Sequence, residues 1–426
     1  MTQRADAPRA GLKRWQRGGI AVMLCAVAAG FALTWRPVLA PIDPPPATAF
    51  SPDMVAHGAA LAAIGDCAVC HTASHGRSFA GGYGLPTPFG TIYATNITPD
   101  AQTGIGAWSE AAFRRAMRRG IDRTGRHLYP ALPYPHFTRA TDQDIAALYA
   151  FLMTRAPVHS VTPRNPLPFP LNVRATVAGW NLMFLRPGVW KPDPAQSAEW
   201  NRGAYLVDAL GHCAACHTPH NPLGAEKASQ PFGGGEAEGW SAPALGASSP
   251  AQQPWTVDTL YTYLRTGFEA HHGAAAGPME PVAHELAAVP DADVHAIAVY
   301  IAAMTPKPPA SDTPHPVSDA AGNAVFAGAC GSCHGADAPM TRNGAPSLAL
   351  SSAINAPTAR DAVQMILHGI PWREGNVGPY MPGFADTLSD RQITDLAAYL
   401  RAHFSDKPAW SNVESLVRSV REDGGA

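Results

Sequence analysis

Three pentapeptides, Cys67-Ala-Val-Cys70-His71, Cys213-Ala-Ala-Cys216-His217 and Cys330-Gly-Ser-Cys333-His334, each set two thiols three residues apart with an imidazole directly after the second. This is the C-x-x-C-H arrangement of covalent haem attachment. The two thiols add to the two vinyl groups of one porphyrin; a helical turn between them brings both sulfurs under the same ring edge, and the histidine meets the iron as proximal ligand. The three copies use six of the seven cysteines, so three covalently bound haem c groups are expected and no pair remains for a structural disulfide. A zinc site would need a second ligand pair near each motif, and a thioredoxin-like pair a βαβ context. The sequence offers neither.

A proximal histidine leaves one axial position, whose occupant sets the potential: a thioether favours reduced iron, a second imidazole lowers the potential. Met279, in Ala-Gly-Pro-Met-Glu-Pro, and Met381, in Gly-Pro-Tyr-Met-Pro-Gly, stand twelve and nine residues before Asp291 and Asp390, which open the last helices of their units. Both are read as distal ligands rather than core filler. The first unit departs: Tyr129-Pro-Ala-Leu-Pro-Tyr-Pro-His-Phe137 carries Leu132 at this place, and leucine cannot bind iron. His136, in the same loop, is the expected substitute. A five-coordinate iron, or recruitment of Met117 or Met153, are the open alternatives.

The elements that position these groups recur three times. Trp108, Trp255 and Pro357 each precede a glycine by twelve positions, Gly120, Gly267 and Gly369. Helices are expected over 109–119, 256–266 and 358–368, each closed by its glycine in the left-handed conformation. Asp142, Asp291 and Asp390 open later helices with one apolar stripe, Ile145/Leu148/Phe151, Val294/Ile297/Tyr300 and Ile393/Leu396/Tyr399. The first helices, marked by Gly58/Leu61, Gly203/Leu206 and Gly322/Val325, reach their cysteines over slightly different distances. First and last helices should cross and close one side of each haem pocket.

The fold class is therefore mainly α: three tandem small cytochrome c domains at 51–157, 196–306 and 314–404, with a linker at 158–195 and a C-terminal tail at 405–426. Each domain is short of core, and a buried porphyrin supplies the rest. The linker, with Trp180 and Trp190, reads as packed on the first unit, or as a docking surface. Arg114, Arg115, Arg118 and Arg119 read as a solvated face, with pairing of one to a haem propionate as the alternative. At the N-terminus, Arg4, Arg9, Lys13, Arg14 and Arg17 precede an apolar run over 18–35. Residues 1–40 are thus a signal or anchor segment, with a length that favours retention, and place the rest on the periplasmic side of a bacterial inner membrane. Cys25 lies within that run as a membrane apolar residue. The 426 residues suffice for several small cores, 42 prolines and 39 glycines suit irregular connections, and a net charge of −2 argues against nucleic acid.

The chain resembles the tri-haem cytochrome c subunits of bacterial periplasmic dehydrogenases, through Gly125-Arg-His-Leu-Tyr-Pro-Ala-Leu-Pro-Tyr134, Asn201-Arg-Gly-Ala-Tyr-Leu-Val-Asp-Ala-Leu-Gly-His-Cys-Ala-Ala-Cys-His-Thr-Pro219 and Ala276-Gly-Pro-Met-Glu280. In the quinoprotein alcohol dehydrogenase and flavin gluconate dehydrogenase branch the first loop reads Tyr-Pro-Ala-Met-Pro-Tyr. With leucine there and His136-Phe-Thr after it, the chain is more similar to the cytochrome subunits of molybdenum hydroxylases, such as aldehyde, nicotinate and isoquinoline oxidoreductases. That resemblance implies a catalytic subunit with molybdopterin, an iron-sulfur subunit, and electron transfer through this chain to ubiquinone or another respiratory acceptor. The rivals are the alcohol or gluconate branch, a haem oxidase or peroxidase with an open first iron, and a free-standing carrier.

Overall fold

A computed structural model describes residues 23, 30, 34–246, 248–304, 319–336, 338, 347–371 and 380–423. The helices that shape the site are, in chain order, α1 (Pro52–Ile64), α2 (Glu110–Arg119), α3 (Asp142–Met153), α4 (Thr176–Phe184), α5 (Ala198–Tyr205), α6 (Val257–Thr266), α7 (Met279–Leu286), α8 (Asp291–Met304), α9 (Ala320–Val325), α10 (Arg360–His368), α11 (Asp390–Phe404) and α12 (Val413–Asp423). Strands are confined to two-stranded hairpins among the described residues.

In each unit the first helix crosses the last, α1 on α3, α5 on α8 and α9 on α11, and a glycine lies at every crossing. A Cβ on Gly58 would stand 2.0 Å from the Ala147 carbonyl oxygen, one on Gly203 1.9 Å from that of Ala296, and one on Gly322 2.4 Å from that of Asp395. Only a hydrogen fits there, which gives the repeated glycines their physical cause. Ser51, Thr141, Ser197, Asp319 and Ser389 cap these helices, each side chain accepting from a backbone N–H of the first turn. The unequal distances to the cysteines are absorbed locally. Asp66 turns left-handed after α1 (φ 53°), while π-helical turns over Leu206–Leu210 and Phe326–Cys330 lead into the cysteines of the other units.

The middle helices follow the expected pattern in two units. Ser109 caps α2 and Thr256 caps α6, and Gly120 and Gly267 end them in the left-handed region. The third differs: α10 begins at Arg360, and Gly369 has φ 68° with ψ −161°, outside that region. Its backbone turns directly into a bridge between Ile370 and Met381, where the Ile370 N–H donates to the Met381 carbonyl at 2.8 Å.

The three units are not equivalent. Leu61, Ile145 and Leu148 of the first share one buried core with Leu206, Leu210 and Val294 of the second. At this joint the Tyr205 hydroxyl donates to Asp144, whose other oxygen takes a 2.7 Å hydrogen bond from His57 Nε2. The third unit has its own core, into which Val413, Val417 and Val420 of α12 are buried. The expected C-terminal tail is thus largely a helix of the third unit. This unit meets the rest at the hairpin Gly235–Ala237/Trp240–Ala242, where the Ser241 N–H donates to Asp361 at 2.7 Å and Gln364 Nε2 to the Gly239 carbonyl at 3.0 Å.

The linker packs on the first unit and reaches the second. Val158, Leu167 and Val177 are buried, Asn96 Nδ2 donates to the Val158 carbonyl at 2.7 Å, and Trp180 Nε1 donates to the Leu223 carbonyl at 2.9 Å. The expected signal or anchor segment, Cys25 included, falls almost wholly outside the described residues, among which no helix is long and apolar enough to cross a membrane. From Trp35 the chain runs along the first unit, with the Leu39 N–H donating to the Arg123 carbonyl at 2.9 Å.

Candidate haem site

Each attachment motif forms a single helical turn, over Cys67–Cys70, Ala214–His217 and Gly331–His334. All six thiols and three imidazoles line one continuous cavity of about 2260 Å³. That exceeds the ~300–1,000 Å³ of a single small-molecule site. The first two turns stand back to back, since His212 Nε2 donates to the Gly65 carbonyl at 3.2 Å just ahead of both cysteine pairs. The third opens into the same cavity from the other core.

The proximal imidazoles are oriented by backbone. His71 Nδ1 donates to the Thr95 carbonyl at 2.6 Å and His217 Nδ1 to the Pro243 carbonyl at 2.7 Å. Each bond fixes the tautomer and leaves Nε2 as the electron-pair donor. Burial lowers the pKa of His71 and His217, which keeps them neutral for that task. Burial also pushes the thiols of Cys67, Cys70 and Cys213 up to about 12 and those of Cys216 and Cys330 to about 11. These are not the low-pKa thiolates of a redox pair. Paired thiols facing the cavity beside an imidazole with a free Nε2 fit a haem.

Met279 and Met381 line the cavity, Met279 at the first residue of α7 and Met381 at its bridge to Ile370. His136 does not. It is buried at the joint of the first two units, with Nδ1 on the Asp208 carbonyl at 3.0 Å and Nε2 on Glu226 at 2.5 Å. Both nitrogens are used, so the expectation that His136 binds the first iron is corrected: the histidine ties unit to unit. Burial alone would raise the Glu226 carboxyl, but the His136 hydrogen bond and charge, with His220 and Arg139, hold it below its ordinary value. His136→Ala is therefore expected to leave the haem spectra unchanged and to lower stability by about 1–3 kcal/mol, the cost of unpaired buried polar groups; visible spectra and denaturant unfolding of one preparation check both.

Two of the four α2 arginines are structural rather than simply solvated. Arg115 Nη1 donates to the Pro37 carbonyl at 2.7 Å, and Arg118 donates to the carbonyls of Thr138 at 2.8 Å and Ala140 at 2.7 Å. The cavity instead takes Arg123, Arg126 and Arg174, residues that spacing did not mark. Arg123 Nε is buried without a partner in the structure, and the Arg174 guanidinium lies 4.5 Å from the Tyr129 ring centroid. Arg126 Nε is paired at 2.8 Å with Asp122, which lines the same wall, and leaves Arg123 and Arg174 as the groups suited to carboxylates like those of a porphyrin. Only the fold brings Arg174, from the linker, to the first unit; the linker also supplies Leu171, Val177 and Trp180 to the cavity wall.

The cytochrome c family matches residues 55–156, and the family of cytochrome c oxidase, cbb3-type, subunit III matches residues 318–400. The chain is 48% identical to a subunit of the nicotinate dehydrogenase of Pseudomonas putida over 98% of its own length, spanning 36% of that relative. It is 36% identical to the fructose dehydrogenase cytochrome subunit of Gluconobacter japonicus, covering 90% of this chain and 86% of the relative. For the cytochrome c subunit of the quinone alcohol dehydrogenase of Gluconacetobacter polyoxogenes the identity is 35%, over 87% and 85%. Likeness along nearly the whole chain, in subunits of different dehydrogenases, agrees with a cavity built to hold haem. The chain belongs to the cytochrome c subunits of multi-subunit dehydrogenase complexes and is an electron-transfer protein with covalently bound haem c.

Proposed function

We propose that the chain carries three haems, at Cys67/Cys70/His71, Cys213/Cys216/His217 and Cys330/Cys333/His334, in domains at 51–157, 196–306 and 314–404. It receives electrons from a catalytic subunit with molybdopterin and an iron-sulfur subunit, and delivers them to ubiquinone or another respiratory acceptor on the periplasmic side of the inner membrane. The observation that carries this reading is the single cavity reached by all nine motif side chains. Bound haem supplies one-electron chemistry. The paired cysteines would attach each ring by two thioethers, His71 and His217, held by Nδ1, would offer Nε2 to the iron, Met279 and Met381 would offer thioethers, and the cavity arginines would meet the carboxylates.

The molybdenum partner is supported by the Tyr-Pro-Ala-Leu-Pro-Tyr loop and by the likeness to a nicotinate dehydrogenase subunit. Affinity purification from detergent-solubilised membranes, with haem and metal analysis, tests it. Three haems per chain with stoichiometric molybdenum and non-haem iron are expected. A flavin or quinone-cofactor subunit would move the chain to the gluconate or alcohol branch, and isolation alone would make it a free carrier.

One observation favours a second reading, a first haem open to small ligands: Leu132 stands where a ligand is needed and His136 is turned away. An open iron would bind carbon monoxide or cyanide with a spectral change.

A further inference from the structure

Measured from the glycine that ends each middle helix, the distal loops fall into register. Leu132, Met279 and Met381 each stand twelve residues after Gly120, Gly267 and Gly369, and Met117, Leu264 and Ile366 each stand three residues before them. All six side chains line the cavity, the helical three being buried. In the second and third units the loop provides sulfur and the helix a branched aliphatic. In the first unit the two have changed places.

We infer that the Met117 thioether is the sixth ligand of the first haem, supplied from α2 in place of the loop. The inference rests on the reading that a haem is attached at Cys67 and Cys70. Methionine and leucine have similar volumes, so the exchange keeps the wall filled while moving the one soft donor across it. Three rotatable bonds let a helix-borne sulfur reach inward, and α2 is held firmly enough to present it. Its N-terminus is capped by Ser109. At its other end, a Cβ on Gly120 would lie 2.4 Å from the Tyr134 ring, and the Tyr134 hydroxyl is tied to Asn181 at 2.5 Å. The competing donors are placed less well. Met153 is buried in the core away from the cavity, Met183 lines it but is half exposed, and His212 Nε2 is taken by the Gly65 carbonyl. His220 lines the cavity beside Glu226 in the second unit, and His272 is stacked on Trp255 with ring centroids 3.4 Å apart.

The test reads ligation rather than activity. The purified ferric full-length chain should show the sulfur-to-iron charge-transfer absorbance of three thioether-ligated haems and no reaction with carbon monoxide when reduced. Met117→Leu should lower that absorbance by one third, open one haem to carbon monoxide, and drop one of three midpoint potentials, leaving haem content unchanged. Met279→Leu and Met381→Leu calibrate the step; Met183→Leu should leave it untouched. Met117→His should keep the first iron closed while removing its thioether signal. A wild-type count of two thioethers overturns the inference without any variant, as does a full signal in Met117→Leu or a lost third in Met183→Leu. Mass analysis of the Cys67–Cys70 peptide separates the levels: a peptide without haem overturns the reading beneath, whereas haem present with no sulfur from Met117 overturns the ligand alone.

Discussion

With the three haems proposed, a chain carrying Cys213→Ala and Cys216→Ala should keep two attached haems but lose the native state of two units, whereas Cys330→Ala with Cys333→Ala should lose only one. The asymmetry follows from the cores. Leu61 and Leu148 of the first unit and Leu206, Leu210 and Val294 of the second belong to one buried cluster, and their attachment turns meet at Gly65 and His212. A domain is stable by ~5–15 kcal/mol. A porphyrin burying roughly 400 Å² of apolar surface at ~25 cal/mol per Å² contributes about 10 kcal/mol, so its removal consumes most of that margin. The third unit rests on separate contacts among Ile393, Leu396, Leu400 and Val417 and should survive. Haem content, the low-spin spectrum of each remaining haem and the number of thermal transitions report the result. A second-unit variant whose first haem keeps its native spectrum would show that the shared core does not couple the units.

The second large effect is steric. Gly203→Ala puts a methyl 1.9 Å from the Ala296 carbonyl oxygen, and Gly58→Ala one 2.0 Å from that of Ala147. The obstacle is backbone in the middle of a helix, not the end of a flexible side chain, so relief requires the helices to separate. Overpacking of this kind costs about 1–3 kcal/mol or more, and separation also widens the haem pocket they close. Gly328→Ala is the internal control: nothing lies within 4 Å of its added methyl, and the change should be neutral or stabilise by roughly 0.5–1 kcal/mol. Urea unfolding of the three variants decides the point; equal stability of Gly203→Ala and wild type would mean that the crossing is looser than described.

What was legible in advance was whatever is written locally. The attachment motifs and the capped helices after Ser109 and Thr256 are short patterns whose chemistry fixes their spacing, and the loop methionines Met279 and Met381, expected near the haems, line the cavity. The crossing glycines were visible as a repeat, but their reason, a carbonyl from a helix roughly seventy to ninety residues away, exists only in the fold. His136 was misread because a histidine in a ligand loop looks the same whether its partner is iron or a glutamate ninety positions on. Arg174 escaped notice for the same reason, being carried to the first unit by a segment that spacing treated as a connection. Three tandem domains were legible as repeats, but not which of them share a core. Which faces fuse is decided by side chains such as Tyr205 and Asp144, and no periodicity records that pairing.

The hairpin that receives the third unit has a second duty. Ser241 and Gly239 hold Asp361 and Gln364, and immediately after this strand comes Pro243, whose carbonyl takes the proton side of His217. A histidine bonded in this way is a stronger electron donor. The joint between the two halves of the molecule is therefore also a tuning element. With haem bound at Cys213 and Cys216 as proposed, a shift of the third unit would pull on the strand that leads to the acceptor of His217, so the posture of one unit would bear on the electron-donor strength of the imidazole in the next.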